Sequence, residues 1–136
     1  MIRVEWRGGL RFEAKTPDGI TFTMDDSDLG SAAQGPSPVE ALVASAAGCS
    51  AMDVISILKK KRQDVRDYRV EVEWTRGPEG EWPRPVTSVL LRHIVSGKAI
   101  DPAAVKHAVE LSDEKYCSVV ATLRQPPTVT SEFRIE

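Results

Sequence analysis

Residues 37–63 constrain the fold more than any other part of the chain. Ser37-Pro38-Val39-Glu40 opens a helix, with Ser37 as N-cap, Pro38 at the first helical position and Glu40 three residues after the cap. The sequence then stays compatible with helix to about Gln63. Val39, Leu42, Val43 and Ala46 share one face, while Ala44, Ala47, Ala51, Val54, Ile55 and Leu58 carry the apolar surface almost around the cylinder. Such a helix is expected to be buried on most sides, and its Ala, Ser and Gly residues between 41 and 51 let another backbone come close. A chain of 136 residues has few other elements with which to surround it. A second subunit would supply the missing cover, so a homodimer is expected.

The rest of the chain is mostly strand. IRVEWR (2–7) and LRFEAK (10–15) flank Gly8-Gly9 as a hairpin, and Asp18-Gly19 turns into a third strand, ITFTM (20–24). Residues 25–36 are small and polar and read as a loop. RVEVEWT (69–75) and VTSVLLRHIVS (86–96) form two further strands around a Gly- and Pro-rich connection. Asp101-Pro102 repeats the cap-plus-proline signal and starts a helix to about Leu111. A short helix is predicted over 117–123, ended by Pro126-Pro127, and TVTSEFRIE closes the chain as a strand. The order describes one α+β domain spanning 1–136, with antiparallel hairpins and packed helices.

Composition excludes several classes. A net charge of -2 gives no electrostatic footprint for nucleic acid or an anionic membrane surface. The basic run Lys59-Lys60-Lys61-Arg62 lies where a helix ends, and there it complements the dipole. The N-terminus is charged from Arg3 and lacks the apolar stretch of a signal peptide. The most apolar stretch, Val39 to Leu58, is interrupted by Ser45, Gly48, Ser50, Asp53 and Ser56, short of the ~18 continuous apolar residues of a membrane span. A cytoplasmic location is expected, where a disulfide is usually transient and catalytic.

The chemistry-bearing residues are then few. Cys49 and Cys117 are the two cysteines, too far apart in sequence for a CxxC motif or a zinc cluster of cysteine pairs. His93 falls in a strand and His107 on a helix without metal-like spacing, so no metal site is expected. Cysteine in an Ala-rich helix is ordinarily an inert small hydrophobe, which is the plain reading of Cys49. Cys117 sits where one helical pattern breaks and another begins, and a thiol at a helix N-terminus faces groups that favour its thiolate. Glu40 is explained as the third residue of a capping box. Asp53 lies one turn after Cys49 on the same face, where a carboxylate opposes thiolate formation unless a cation intervenes, and pairing with a buried Arg or a backbone donor is expected.

GPSPVEALVASAAGCSAMDVISIL (35–58) together with SDEKYCSVV (112–120) resembles the OsmC-like family, which includes the organic hydroperoxide resistance proteins. SAAGCSAMDVISIL and EKYCSV are most similar to the less-studied OsmC-like branch. The resemblance implies an intertwined homodimer, with antiparallel sheets wrapped around long central helices and two sites at the subunit interface. It also implies that Cys49 attacks a peroxide and Cys117 resolves the product. Peroxidase members hold the thiolate with an Arg near the N-terminal strands, for which Arg11 is the nearest candidate here. Many members also carry a Glu at the position of Val39; Glu40 is one residue later, which turns the side chain by about 100°. Ser118-Val119 follows the second cysteine where many relatives have Cys-Pro.

The activity implied by the resemblance is thiol-dependent reduction of organic hydroperoxides, with hydrogen peroxide as a second candidate substrate, in oxidative-stress defence. It runs through a Cys49 sulfenic acid and a Cys49–Cys117 disulfide, with no bound cofactor, and is reset by an external dithiol of dihydrolipoamide type. Three alternatives stand beside it. The same fold with little turnover would bind a small ligand or sense oxidation at the interface, a Cys-nucleophile hydrolase or acyltransferase would need His93 within reach of Cys49, and a purely structural dimer would keep both thiols inert.

Overall fold

The Gly8-Gly9 signal becomes a tight hairpin, both glycines having positive φ, 97° and 55°. In the computed structural model, which describes all residues Met1–Glu136, β1 (Arg3–Trp6) pairs antiparallel with β2 (Phe12–Lys15), and β2 with β3 (Thr21–Met24). The register sets Trp6 opposite Phe12 and Phe12 opposite Met24. A 3-10 helix, Ser27–Ala32, leads towards α1 (Pro38–Lys60). The long hairpin β4 (Asp64–Arg76) and β5 (Val86–Lys98) follows, then α2 (Pro102–Leu111), a π-helical turn over Ser112–Tyr116, and α3 (Ser118–Arg124). The chain is therefore α+β, with antiparallel sheets.

Packing divides it into two compact units, one of Met1–Ser45 and Val72–Leu90, the other of Ala46–Glu71 and Leu91–Glu136. In the first, the segment entering α1 is tied down by Asp25, a buried carboxylate that accepts hydrogen bonds from the N–H groups of Asp26 at 2.8 Å and Gln34 at 3.1 Å. These bonds, the one from Gln34 foremost, hold its pKa below the usual aspartate value. The Asp25 N–H in turn donates to the Pro36 carbonyl at 3.1 Å. Gly35 passes so close to the Thr23 carbonyl that a β-carbon would collide with it.

In the second unit, Val54 and Leu58 of α1 meet Ala104 and Ala108 of α2 in the hydrophobic core, with Ile57, Val65, Tyr68, Val95, Val105 and Val109 packed against it. The alanines on α2 let the two helices approach closely. Asp101 caps α2 by accepting from the Ala103 N–H at 2.9 Å, with Pro102 at the first helical position. At the other end of the hairpin, Gly97 leaves room for the Asp64 carbonyl, which a β-carbon would strike.

Three expectations change. First, the nearly all-round burial expected of α1 does not hold in one chain. Val43, Ala46, Ala47, Ser50, Val54 and Leu58 form a single buried stripe at helical spacing, while Leu42 is 41% and Met52 73% exposed. Second, the breaks at Ser45, Ser50 and Asp53 do not lower the hydropathy as far as the sequence suggests. By length and composition alone this 23-residue helix, with a mean hydropathy of 1.8 over its most apolar 18 residues, is apolar enough to cross a membrane. Its Val54–Leu58 stripe is instead occupied by protein packing. Third, 128–136 forms no strand in this chain. A strand needs a ladder partner for its N–H and C=O groups, and both sheets are built without this segment. Its alternate apolar residues Val129, Phe133 and Ile135 stay 83–90% exposed.

Candidate functional site

Local geometry explains how two cysteines distant in sequence come together. Cys49 lies inside α1 and is partly exposed. Cys117 is 3% exposed and reaches the same place through the π-helical turn, which closes with its N–H donating to the Ser112 carbonyl at 2.9 Å. Such wide turns recur at functional sites because they shift one side chain out of the regular helical repeat. Cys117 then caps α3, its sulfur accepting from the Val120 N–H at 3.4 Å. Both thiols are free, and the two Sγ atoms and a carboxylate oxygen of Asp53 all lie within 4.8 Å of one another.

Burial pushes the Cys117 thiol up from its ordinary pKa; the Val120 N–H opposes this, and the nearby Cys49 adds to it. Cys117 is thus held as a buried thiol, whereas Cys49 is partly exposed.

Behind the thiols runs a buried polar chain. Ser112 Oγ is 3.0 Å from Asp53 Oδ2 and 3.1 Å from Ser50 Oγ. Ser50 Oγ is 3.4 Å from His93 Nε2, and His93 Nδ1 is 2.6 Å from the Tyr68 hydroxyl. A carboxylate can only accept, so Ser112 spends its single proton on Asp53. Ser50 must then donate to Ser112, and His93 Nε2–H to Ser50. That leaves Nδ1 bare to accept from Tyr68, which assigns the tautomer of His93. Burial favours the neutral form of each ring, pushing Tyr68 up to about 12 and His93 below its usual value, with Asp113 opposing the latter. The Tyr68 and His93 rings also stack, with centroids 6.1 Å apart.

The sequence candidates therefore separate. Cys49 and Cys117 are brought together. Arg11 lies in the hairpin loop just before β2 rather than within the strand, donating to the Arg7 carbonyl at 3.1 Å and stabilising the Asp25 carboxylate. Glu40 completes its capping box: its carboxylate accepts from the Ser37 N–H at 2.7 Å, and the Glu40 N–H donates to Ser37 Oγ at 3.2 Å. Both are accounted for by local contacts in the first unit. His93 has both ring nitrogens engaged by Tyr68 and Ser50, so the imidazole–thiol pair of a hydrolase is not formed. His107 lines a hollow with Lys61, Gln63 and Asp101.

Sequence reasoning missed Ser50, Ser112 and Tyr68. The one available signal was polarity on an apolar helix face: Ser50 and Asp53 share the stripe that carries Val54. Ser112 and Tyr68 carry no such mark.

Comparison with known proteins agrees with this architecture. The family model for OsmC-like protein matches residues 30–132. Protein YhfA of Escherichia coli K12 is 42% identical over 133 residues, 98% of this chain and 96% of its own. A hypothetical protein from Aquifex aeolicus superposes with a TM-score of 0.78 at 32% identity, covering 93% of this chain and 87% of its own. The organic hydroperoxide resistance protein OhrB of Bacillus subtilis shares the fold, at a TM-score of 0.59 and 17% identity, over 93% of this chain and 92% of its own.

Proposed function

The chain belongs to the OsmC-like family, and from that premise we propose that it is a cysteine-based peroxidase that reduces organic hydroperoxides. One observation carries the reading: two free cysteines with sulfurs within 4.8 Å of each other, one residue partly exposed and one buried. The more exposed residue, Cys49, attacks the peroxide. An S–O bond forms, the O–O bond breaks, and the thiol proton leaves with the alkoxide as alcohol, giving Cys49 sulfenic acid. Cys117 then attacks the Cys49 sulfur and water departs with its proton. The S–S bond of about 2.05 Å needs only local rotation from the present separation. Asp53 is placed to carry the Cys117 proton to the departing oxygen, because its carboxylate is within 4.8 Å of both sulfurs. An external dithiol reopens the disulfide by exchange through a mixed disulfide.

A second reading has its own support. Arg11 and Glu40 are engaged locally by Arg7, Asp25 and Ser37. A protein in which they stay engaged by these neighbours would turn over slowly and serve as an oxidation sensor. Steady-state consumption of cumene hydroperoxide, with dihydrolipoamide as reductant, separates the two. Sustained turnover that Cys49→Ser abolishes supports the peroxidase, whereas a single oxidation without turnover supports the sensor.

A further inference from the structure

Two thiols and a carboxylate that converge from three turns of structure form more than a redox pair. We propose that the reduced protein binds one soft divalent cation of the zinc type through Cys49 Sγ, Asp53 and Cys117 Sγ, with water in the fourth position. The donors suit that cation. Two thiolates select soft or borderline metals over magnesium and calcium, which prefer shells of oxygen ligands. Zn–S bonds of about 2.3 Å and Zn–O bonds of about 2.1 Å at tetrahedral angles place ligand atoms roughly 3.5–3.8 Å apart. The three atoms here lie within 4.8 Å of one another, so small side-chain rotations bring them onto one ion.

The ligands are also held from behind, as metal ligands usually are. Cys49 and Asp53 are one helical turn apart on α1, on the same face. Cys117 is fixed by its capping bond to Val120. Asp53 Oδ2 is oriented by Ser112, and Ser112 by Ser50, which is anchored through His93 to Tyr68. The side-chain partner of Asp53 is a serine hydroxyl rather than a lysine or arginine, so its charge is left for an incoming cation.

Cation binding and oxidation would exclude each other, because a disulfide no longer offers thiolate donors. Release by peroxide rests on the peroxidase reading and balances simply. The two zinc-bound thiolates give up two electrons to form the Cys49–Cys117 disulfide, and the hydroperoxide takes them with two protons to give alcohol and water, freeing the ion. Binding itself depends only on the reduced cluster.

The test is titration of the fully reduced protein with Zn2+ against a chromophoric chelator, and with Co2+ followed by visible absorption. The expected result is one ion per chain, with the intense bands of tetrahedral thiolate-ligated cobalt. Asp53→Asn should weaken binding by about tenfold or more, and Cys49→Ser or Cys117→Ser should abolish it. Protein oxidised to the disulfide by a chemical oxidant of thiols should bind no ion. Absence of binding to protein with both thiols titratable would overturn the proposal. So would unchanged affinity in Asp53→Asn, which would reduce the site to simple dithiol chelation. Protein that binds Zn2+ but forms no disulfide with peroxide would sink the peroxidase reading and leave the cation site standing.

Discussion

Ser112, buried at the start of the π-helical turn, donates a hydrogen bond of 3.0 Å to the carboxylate of Asp53 on α1. This contact joins the segment that delivers Cys117 to the helix that carries Cys49. Ser112→Ala would leave a part-buried carboxylate without its side-chain donor and the Ser50 hydroxyl proton without its acceptor, at an expected cost of about 1–3 kcal/mol. Urea unfolding should show that loss. Disulfide formation should slow as well, because the turn that carries Cys117 loses its side-chain tie to Asp53 on α1. Unchanged stability would mean that water replaces the Ser112 hydroxyl at no cost.

The unequal exposure of the two sulfurs assigns their order. Cys117→Ser should still react with peroxide and accumulate sulfenic acid at Cys49, trapped by dimedone and located by mass spectrometry. Cys49→Ser should leave Cys117 reduced under the same conditions. Labelling at Cys117 in the Cys49→Ser protein, at the wild-type rate, would reverse the roles.

Stability should fall at both ends of the pH scale through the Tyr68–His93 pair. Burial holds the His93 pKa below 6.5, so from that lowered value up to 6.5 the unfolded chain binds more protons than the folded one. Stability therefore rises with pH across that window. Tyr68 is pushed up to about 12 from 10.0, so between those values the folded chain keeps a proton that the unfolded chain loses, and stability falls. The groups facing the imidazole are Tyr68, Ser50 and Asp113. Unfolding midpoints against pH should show a plateau between the two limbs, and His93→Asn should flatten the acid limb. An acid limb unaffected by His93→Asn would place its origin elsewhere.

A homodimer is expected to cover the exposed apolar residues of α1 and the C-terminal segment. Leu42, Met52, Val129, Phe133 and Ile135 are 41–90% exposed, which is costly for a helix face and an alternating segment left in water. Light scattering should give about twice the 14.9 kDa of one chain. Removing residues 128–136 should shift the mass towards monomer or promote aggregation. A monomeric full-length protein of normal stability would contradict the expectation.

Much of this was legible in the sequence where a local rule is strong. The Ser37–Glu40 capping box, the Gly8-Gly9 hairpin and Asp101-Pro102 each predict the observed start of an element, because caps and positive-φ turns are decided by neighbouring residues. The closing strand was not, because alternation in TVTSEFRIE reports a tendency and says nothing of whether a partner edge exists. Arg11 and Glu40 were candidates by analogy of position, and their observed contacts with Arg7, Asp25 and Ser37 depend on backbone geometry that the residue types do not reveal. The chain from Tyr68 to Asp53 was hidden for a related reason. It links residues from β4, β5, α1 and the π-helical turn through single hydroxyls, and serine or tyrosine at such positions looks ordinary until the fold brings them together.

The central claim is that Cys49 and Cys117 form one redox couple. Free-thiol content after one equivalent of cumene hydroperoxide per chain, before and after adding dihydrolipoamide, tests it most directly. Rapid loss of both thiols with no change in mass beyond two hydrogens, reversed by the dithiol, is the expected result. Two thiols that survive the peroxide, or a Cys49 that oxidises while Cys117 stays free, would contradict it.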